Sequence, residues 1–161
     1  MYNVLDVSRF VINYCNSKKY LISNLRLQKL LYFIQAYFLK NGEEPCFSEN
    51  IEAWNFGPVV PCVYYEYKKY GNSNIPEVQN FMTVVQQDGK IRIEKMKFND
   101  SVIDEKDRVV IQSIIDSLSR YSTTDLVNVT HNQSPWKDAY VPNKRRRIIT
   151  NEAIRSFFIN G

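Results

Sequence analysis

Residues 25–42 read LRLQKLLYFIQAYFLKNG and residues 51–71 read IEAWNFGPVVPCVYYEYKKYG, and these two runs decide the fold. In the first run apolar side chains recur at helical spacing and cover most of the circumference, which is typical of a helix packed on several sides. The polar positions that interrupt it are Gln28, Lys29, Gln35 and Lys40. The run therefore predicts a central apolar helix, which ends at Asn41-Gly42 because glycine adopts the left-handed cap conformation easily.

Residues 43–57, which include the start of the second run, are predicted to be irregular or briefly extended. The rest of the second run predicts a helix. Gly57-Pro58 is a turn signal, and Pro61 suits the first position of a helix, where its missing N–H costs nothing. Gly71 ends this helix, which carries a series of tyrosines: Tyr64, Tyr65, Tyr67 and Tyr70. Successive helical residues point about 100° apart, so Tyr65 cannot share the face of Tyr64 and Tyr67. At least one aromatic side chain is therefore expected at the surface.

Outside these runs the sequence predicts more helices and one β-hairpin. Asn3 can cap a first helix that fades by Ser17, and Asp88-Gly89 between the β-prone runs 81–86 and 91–98 is a hairpin signal. Cap residues predict further helices starting at Asp104, at Ser122 to Thr124, at Ser134-Pro135 and at Thr150 or Asn151. We expect a mainly α fold over residues 1–161 as a single domain: a compact bundle of about six to seven helices around the central helix, with one small β-hairpin.

The composition indicates a folded cytoplasmic protein. Hydrophobic residues make up 44% of the 161 residues, and the 11 tyrosines and 9 phenylalanines can bury enough surface to exclude disorder over most of the chain. The first ten residues, MYNVLDVSRF, lack a basic leader followed by an apolar run, and no apolar run approaches membrane-spanning length. Cys15, Cys46 and Cys62 are widely spaced without a CxxC pair, so we expect reduced thiols.

Residues that could carry catalysis are scarce in the sequence. His131 is the single histidine, and a zinc site or a general base would need partners that no spacing proposes. Ser134 and Asp138 lie nearby in sequence, but a structural or binding histidine remains the favoured interpretation. Nucleotide-binding glycine motifs are missing, and the glutamates at 43, 44, 49 and 52 are scattered over a loop, which favours solvation. We therefore expect no enzyme, no cofactor and no metal.

The net charge of +4 arises in one short run. The consecutive residues Lys144, Arg145, Arg146 and Arg147 carry +4, and the other 17 basic residues (21 − 4) balance the 17 acidic ones. Three interpretations of this basic loop stay open: a solvated loop, docking onto an acidic protein surface, or binding to nucleic-acid phosphates. Nucleic acid is the least favoured, because neither a basic helix nor an aromatic platform extends the run.

Several segments, in order along the chain, resemble the Panacea domain, the GepA-like and SocA-like family of phages, prophages and bacteria. These are LRLQKLLYFIQA at 25–36, IEAWNFGPVVP at 51–61, Val63-Tyr64, Lys69-Tyr70-Gly71 and LVNVTHNQSPWKDA at 126–139. Residues 154–158 are similar to the terminal helix of the family. The resemblance implies an antitoxin of a toxin–antitoxin system, which neutralises a cognate toxin protein by direct contact and contains no catalytic residues.

The same resemblance leaves other functions open. One branch of the family delivers its toxin to a Clp protease, and a phage or prophage regulator could bind nucleic acid through residues 144–147. Because the resemblance fills the chain, we expect no additional DNA-binding domain, while a homo-oligomer remains possible in principle.

Tyrosine and tryptophan commonly anchor protein interfaces, although tyrosines can equally fill a core. The predicted partner-binding residues are Trp54, Phe56, Tyr64, Tyr65 and Tyr67, with Lys144, Arg145, Arg146 and Arg147 as a steering patch. His131 and Trp136 form a possible second patch, or alternatively pack two short helices together.

Overall fold

Helix α2 (Asn24–Asn41) lies in the core and contacts helices α1, α3, α4, α5 and α7. The computed structural model describes residues 1–42 and 44–161, so the predictions made for Glu43 lie outside the described residues. Ser23 caps α2 by accepting a hydrogen bond from the Arg26 N–H, and Leu27, Leu31 and Ile34 are fully buried. The predicted apolar periodicity therefore corresponds to burial on several sides of this helix.

The fold is mainly α, as predicted, with seven α-helices in the described ranges 1–42 and 44–161. In order they are α1 (Val4–Ser17), α2 (Asn24–Asn41), α3 (Pro61–Tyr67), α4 (Glu105–Leu118), α5 (Thr123–His131), α6 (Ser134–Ala139) and α7 (Asn151–Asn160). Short 3-10 turns follow α3 at Lys68–Tyr70 and precede α4 at Asp100–Val102. No helix within these ranges is both long enough and apolar enough to cross a membrane.

A three-stranded antiparallel sheet, which the sequence analysis missed, packs beside α2. Its strands β1 (Ile51–Trp54), β2 (Gly57–Val59) and β5 (Ile148–Ile149) lie in the order β2-β1-β5. The one small β-hairpin predicted from the sequence is therefore only part of the β structure, and β1 lies in the segment predicted to be irregular or briefly extended. These strands are two to four residues long, which is too short for an alternating pattern to appear. The pairing of Ile51 with Ile149 also joins segments far apart in the sequence.

The predicted hairpin is confirmed as strands β3 (Asn80–Gln87) and β4 (Lys90–Lys97). Asp88 and Gly89 form the two-residue turn with φ of 51° and 72°, as the type I′ turn of tight hairpins requires. The pairing runs without a bulge from Gln87↔Lys90 to Asn80↔Lys97. This hairpin forms a separate two-stranded sheet.

Candidate functional site

The polar residues at the start of helix α2 are buried beneath the Gly57-Pro58 turn rather than exposed to solvent. The side chain of Gln28 accepts a hydrogen bond from the Val60 N–H at 2.9 Å and donates one to Asn24 Oδ1 at 2.9 Å. Asn24 in turn donates to the Tyr64 carbonyl oxygen at 2.9 Å. These bonds satisfy backbone groups that would otherwise be buried without partners, and they attach helix α3 and Val60, the residue after strand β2, to α2.

Lys29 is a fully buried cation in the same network. Its Nζ donates to the Pro58 carbonyl oxygen at 2.8 Å, and the ion pairs of the described residues do not include it. Burial in a low-dielectric environment penalises the charged amine and lowers the pKa of Lys29 to about 7. The amine therefore carries much less positive charge at neutral pH than an exposed lysine would.

Gly57 allows the turn to approach helices α2 and α5 closely. Its φ is +101°, and a Cβ added there would lie 2.7 Å from Thr130 Oγ1 and 2.9 Å from Lys29 Cε. Glycine is thus required both by the backbone conformation and by the lack of space. Residues from three segments of the family resemblance, Lys29, Gly57 and Thr130, meet at this point.

A stack of three rings supports the segment that follows β1. The rings of His131 and Trp136 lie 4.1 Å apart between centroids, and those of Trp136 and Tyr140 lie 4.4 Å apart. Trp136 Nε1 donates to the Trp54 carbonyl oxygen at 2.9 Å, and the Tyr140 hydroxyl donates to Asn55 Oδ1 at 2.8 Å. The stack therefore holds the backbone of Trp54 and the side chain of Asn55.

His131 lies in this stack without the partners of a catalytic base. Its Nε2 is buried and has no hydrogen-bond partner among the described residues. Burial lowers the pKa of His131, the nearby charge of Lys29 lowers it further, and a hydrogen bond with the Asn55 backbone opposes both effects. A neutral imidazole packed on Trp136 fits the structural interpretation that the sequence analysis favoured.

Above this support an aromatic cluster reaches the surface. The rings of Trp54 and Tyr64 lie 4.9 Å apart, and those of Tyr64 and Tyr65 lie 5.4 Å apart, both edge to face. Tyr65 is 56% exposed, and Phe56, at the tip of the β1–β2 turn, is 66% exposed. Unlike single exposed hydrophobic residues, which are common, these neighbouring aromatic side chains form a contiguous apolar patch, and aromatic residues are enriched at protein interfaces.

Basic side chains border the aromatic cluster. The basic side chains and the aromatic cluster line the same open cavity, which has a volume of about 870 Å³. Its lining includes Trp54, Phe56, Tyr64, Tyr65, Lys144 and Arg145. Lys68 lines the same cavity, and its Nζ lies 5.9 Å from the centre of the Tyr65 ring. We call this surface the aromatic–basic groove. The structure thus brings together four predicted aromatic residues and two residues of the predicted steering patch.

The other predicted partner-binding residues lie elsewhere. Tyr67 is 4% exposed and packs in the core, so its inclusion in a surface patch is corrected: in this conformation its side chain is unavailable to a partner. Arg146 and Arg147 are exposed, but they do not line the groove. Arg147 instead fixes the loop, because its Nε donates to the Ala139 carbonyl oxygen and its own carbonyl oxygen accepts from the Ala53 N–H.

Two features of the groove were not predicted from the sequence: Lys68 at its border, and the α2 side chains that hold the neighbouring backbone in place. Lys68 follows Tyr65 by three residues, a spacing that places both on one helix face, and this signal could have identified it. The roles of Asn24 and Gln28 were concealed because polar residues within an apolar helix were read only as interruptions. Their hydrogen-bond partners, Val60 and Tyr64, lie more than 30 residues away in the sequence. These contacts can be seen only in the tertiary structure.

Comparison with known proteins assigns the family. The family model described as "Antitoxin SocA-like, Panacea domain" matches residues 27–137. The chain belongs to this family. The Panacea match includes the aromatic residues of the groove, Gly57 and His131, whereas Lys144 and Arg145 lie beyond it.

A curated relative supports the same family. Antitoxin SocA of Caulobacter vibrioides (strain NA1000 / CB15N) is 34% identical over 118 residues, which is 71% of this chain. The matched region covers 58% of the relative's own length. No solved structure matches this Panacea chain.

Proposed function

We propose that the protein is an antitoxin that neutralises a cognate toxin by direct protein–protein binding in the cytoplasm, without catalysis. Membership of the SocA-like family and the similarity to an antitoxin support the role. The observation that carries the binding mode is the exposure of Phe56 on the β1–β2 turn and of Tyr65 on α3, 66% and 56%, since buried hydrogen bonds attach both segments to α2. A rigid aromatic surface loses little conformational entropy on binding, which favours affinity.

The chemistry of the groove indicates the kind of toxin surface that fits. Phe56 and Tyr65 are suited to fill apolar pockets, and the tyrosine hydroxyl can remain hydrogen-bonded at the rim. Lys68, Lys144 and Arg145 border them, and no acidic residue lines this cavity among the described residues. We propose that the toxin presents an apolar patch edged by aspartate and glutamate, and that complementary charge accelerates the encounter.

The test uses the product of the adjacent gene as the candidate toxin. Co-expression with the wild-type chain should restore growth, and the purified proteins should form a complex. Phe56→Ala and Tyr65→Ala are each expected to weaken binding by about 30-fold, the effect of an interface anchor that contributes about 2 kcal/mol.

Tyr37→Ala is the matched control, since Tyr37 is a 42%-exposed tyrosine of α2 that does not line the groove. It should bind with unchanged affinity. Full neutralisation by a doubly substituted Phe56→Ala/Tyr65→Ala protein of unchanged stability would exclude the groove as the toxin-binding surface.

The basic rim should control the rate of association rather than the lifetime of the complex. Lys144→Gln/Arg145→Gln is expected to lower the association rate constant about tenfold at low salt, with little change in dissociation, because exposed rim charges act mainly by long-range attraction. Stopped-flow measurements at increasing salt check this, since the difference should shrink with screening. Lys40→Gln/Lys106→Gln removes two exposed charges that do not line the groove and should leave the rate nearly unchanged.

The alternative functions give different results in these assays. A proteolytic adaptor would shorten the half-life of the toxin in the presence of a Clp protease, whereas sequestration leaves it unchanged. A nucleic-acid-binding regulator would bind DNA or RNA with a steep salt dependence, and that binding would be lost on neutralising residues 144–147.

A further inference from the structure

The outer edge of strand β3 is an unpaired main-chain surface. Asn80–Gln87 pairs with β4 on one side, and within residues 1–42 and 44–161 no third strand joins this sheet. The pair that closes a two-residue turn exchanges both its hydrogen bonds, and the pattern alternates from there. Counting from Gln87↔Lys90, the N–H and C=O groups of Asn80, Met82, Val84 and Gln86 therefore point away from β4.

The two edges of the hairpin differ in charge. Strand β4 (KIRIEKMK) carries five charged residues: Lys90, Arg92, Glu94, Lys95 and Lys97. Strand β3 (NFMTVVQQ) carries none and contains no proline. Folded proteins usually protect exposed strand edges with charges, especially lysine, or with proline. The β4 edge has this protection and the β3 edge lacks it, which indicates that β3 pairs with another strand.

One face of the hairpin also exposes a cluster of apolar side chains, flanked by Gln86 and Lys95. Val84 and Ile93 lie opposite each other, and their side chains are 66% and 68% exposed. Met82 and Ile91 share this face and are 63% and 73% exposed. A second strand beside β3 would extend this face and cover the flanks of Met82 and Val84.

The base of the hairpin is attached to helix α1, so the exposed edge is held in place. Asn13 Nδ2 donates to the Val78 carbonyl oxygen at 2.9 Å, and Asn13 Oδ1 accepts from the Val78 N–H at 2.7 Å. The Arg9 guanidinium lies 3.6 Å from the centre of the Phe81 ring on the opposite face. The edge is therefore presented in a defined orientation.

We propose that β3 pairs antiparallel with β3 of a second copy of this chain, forming a four-stranded sheet across a two-fold axis. With Met82 opposite Val84 of the second copy, all outward-pointing main-chain groups from Asn80 to Gln86 find partners, and both apolar faces lie on the same side. The absence of charge on β3 makes self-pairing free of repulsion, whereas β4 self-pairing would place like charges opposite each other. This dimer is independent of the toxin-binding groove.

The test compares proline at two cross-strand positions in the full chain. Val84→Pro removes an N–H directed at the second copy and leaves the β3–β4 hydrogen bonds intact. Ile93→Pro makes the same change on the outer edge of β4, opposite Val84. Analytical ultracentrifugation over a concentration series should show a dimer for the wild type and for Ile93→Pro. Val84→Pro should raise the dissociation constant by at least about tenfold.

Amide hydrogen exchange of the wild type decides the outcome if Val84→Pro fails to fold. The amides of Met82, Val84 and Gln86 should become protected as concentration rises, while those of Ile91, Ile93 and Lys95 on the opposite edge stay exchangeable. A chain that remains monomeric at all concentrations overturns the proposal, as does a dimer in which these β3 amides stay unprotected. Protection of β3 only after a toxin binds would likewise overturn it and assign the edge to the toxin.

Discussion

Gly57→Ala is expected to lower the free energy of unfolding by about 3 kcal/mol or more, since both the backbone and the packing oppose a side chain there. The residue adopts φ of +101°, which L-amino acids rarely occupy. The new Cβ would meet Thr130 Oγ1 at 2.7 Å and Lys29 Cε at 2.9 Å. Relief requires either the buried Lys29 and Thr130 side chains or the turn itself to shift, and either shift disturbs the hydrogen bond between Lys29 and Pro58. Urea unfolding monitored by circular dichroism measures the effect.

Gly89→Ala provides the matched control for this prediction. Gly89 also has positive φ, +72°, but nothing lies within 4 Å of an added Cβ. Gly89→Ala should therefore lower the free energy of unfolding by only about 1 kcal/mol, which is the contribution of the backbone conformation alone. If the two substitutions destabilised the protein equally, the close approach of α5 to the turn would be refuted.

The Gly57→Ala substitution should also change the geometry of the aromatic–basic groove. Phe56 is adjacent to Gly57, and the Trp54 carbonyl that accepts from Trp136 lies on the same turn. Displacing the turn therefore moves the exposed Phe56 side chain together with the backbone. We expect Gly57→Ala to weaken toxin binding even under conditions in which most of the protein stays folded.

The helices were predictable because their signals are local. The apolar residues of α2 recur over several helical turns, which identified that helix. The Asp88-Gly89 dipeptide between two β-prone runs identified the β3–β4 hairpin. Four residues of the aromatic–basic groove (Trp54, Phe56, Tyr64 and Tyr65) were predicted from the surplus of aromatic side chains. His131 and Trp136 were predicted as a second patch or as packing between two short helices; their rings stack on each other, and Trp136 donates to the Trp54 carbonyl oxygen.

The remaining features depend on contacts between distant segments. The basic loop at residues 144–147 leads into strand β5, which pairs with β1. This pairing brings Lys144 and Arg145 to the same cavity as residues of α3. Tyr67 could not be separated from Tyr64 and Tyr65 by composition, because the side of α3 that faces the core is set by how the helix docks on α1 and α2. Lys29 looked like a solvated interruption, yet its buried amine bonds to a carbonyl oxygen of strand β2.

Lys29→Met is expected to remove a large pH dependence of stability. In the folded chain the pKa of Lys29 falls to about 7 because the amine is buried, whereas the unfolded chain has the ordinary value near 10.4. Between these values the unfolded state binds a proton that the folded state does not. The free energy of unfolding therefore rises with pH from 7 towards 10, by up to about 1.4 kcal/mol per pH unit from this group. Below pH 7 both states are protonated and the slope from Lys29 vanishes.

The measurement compares wild type and Lys29→Met by urea unfolding at pH 7, 8 and 9. The stability of the wild type relative to the variant should rise by about 2–3 kcal/mol over this range. Burial raises the pKa of the Cys15 and Cys46 thiols to about 12, which lowers stability as the thiols of the unfolded chain ionise. Both proteins share that effect, so it cancels in the difference. Lys106→Met, at an exposed lysine of α4, should run parallel to the wild type. If Lys29→Met also did so, the folded Lys29 would have its ordinary pKa, and the amine would have to remain charged inside the core.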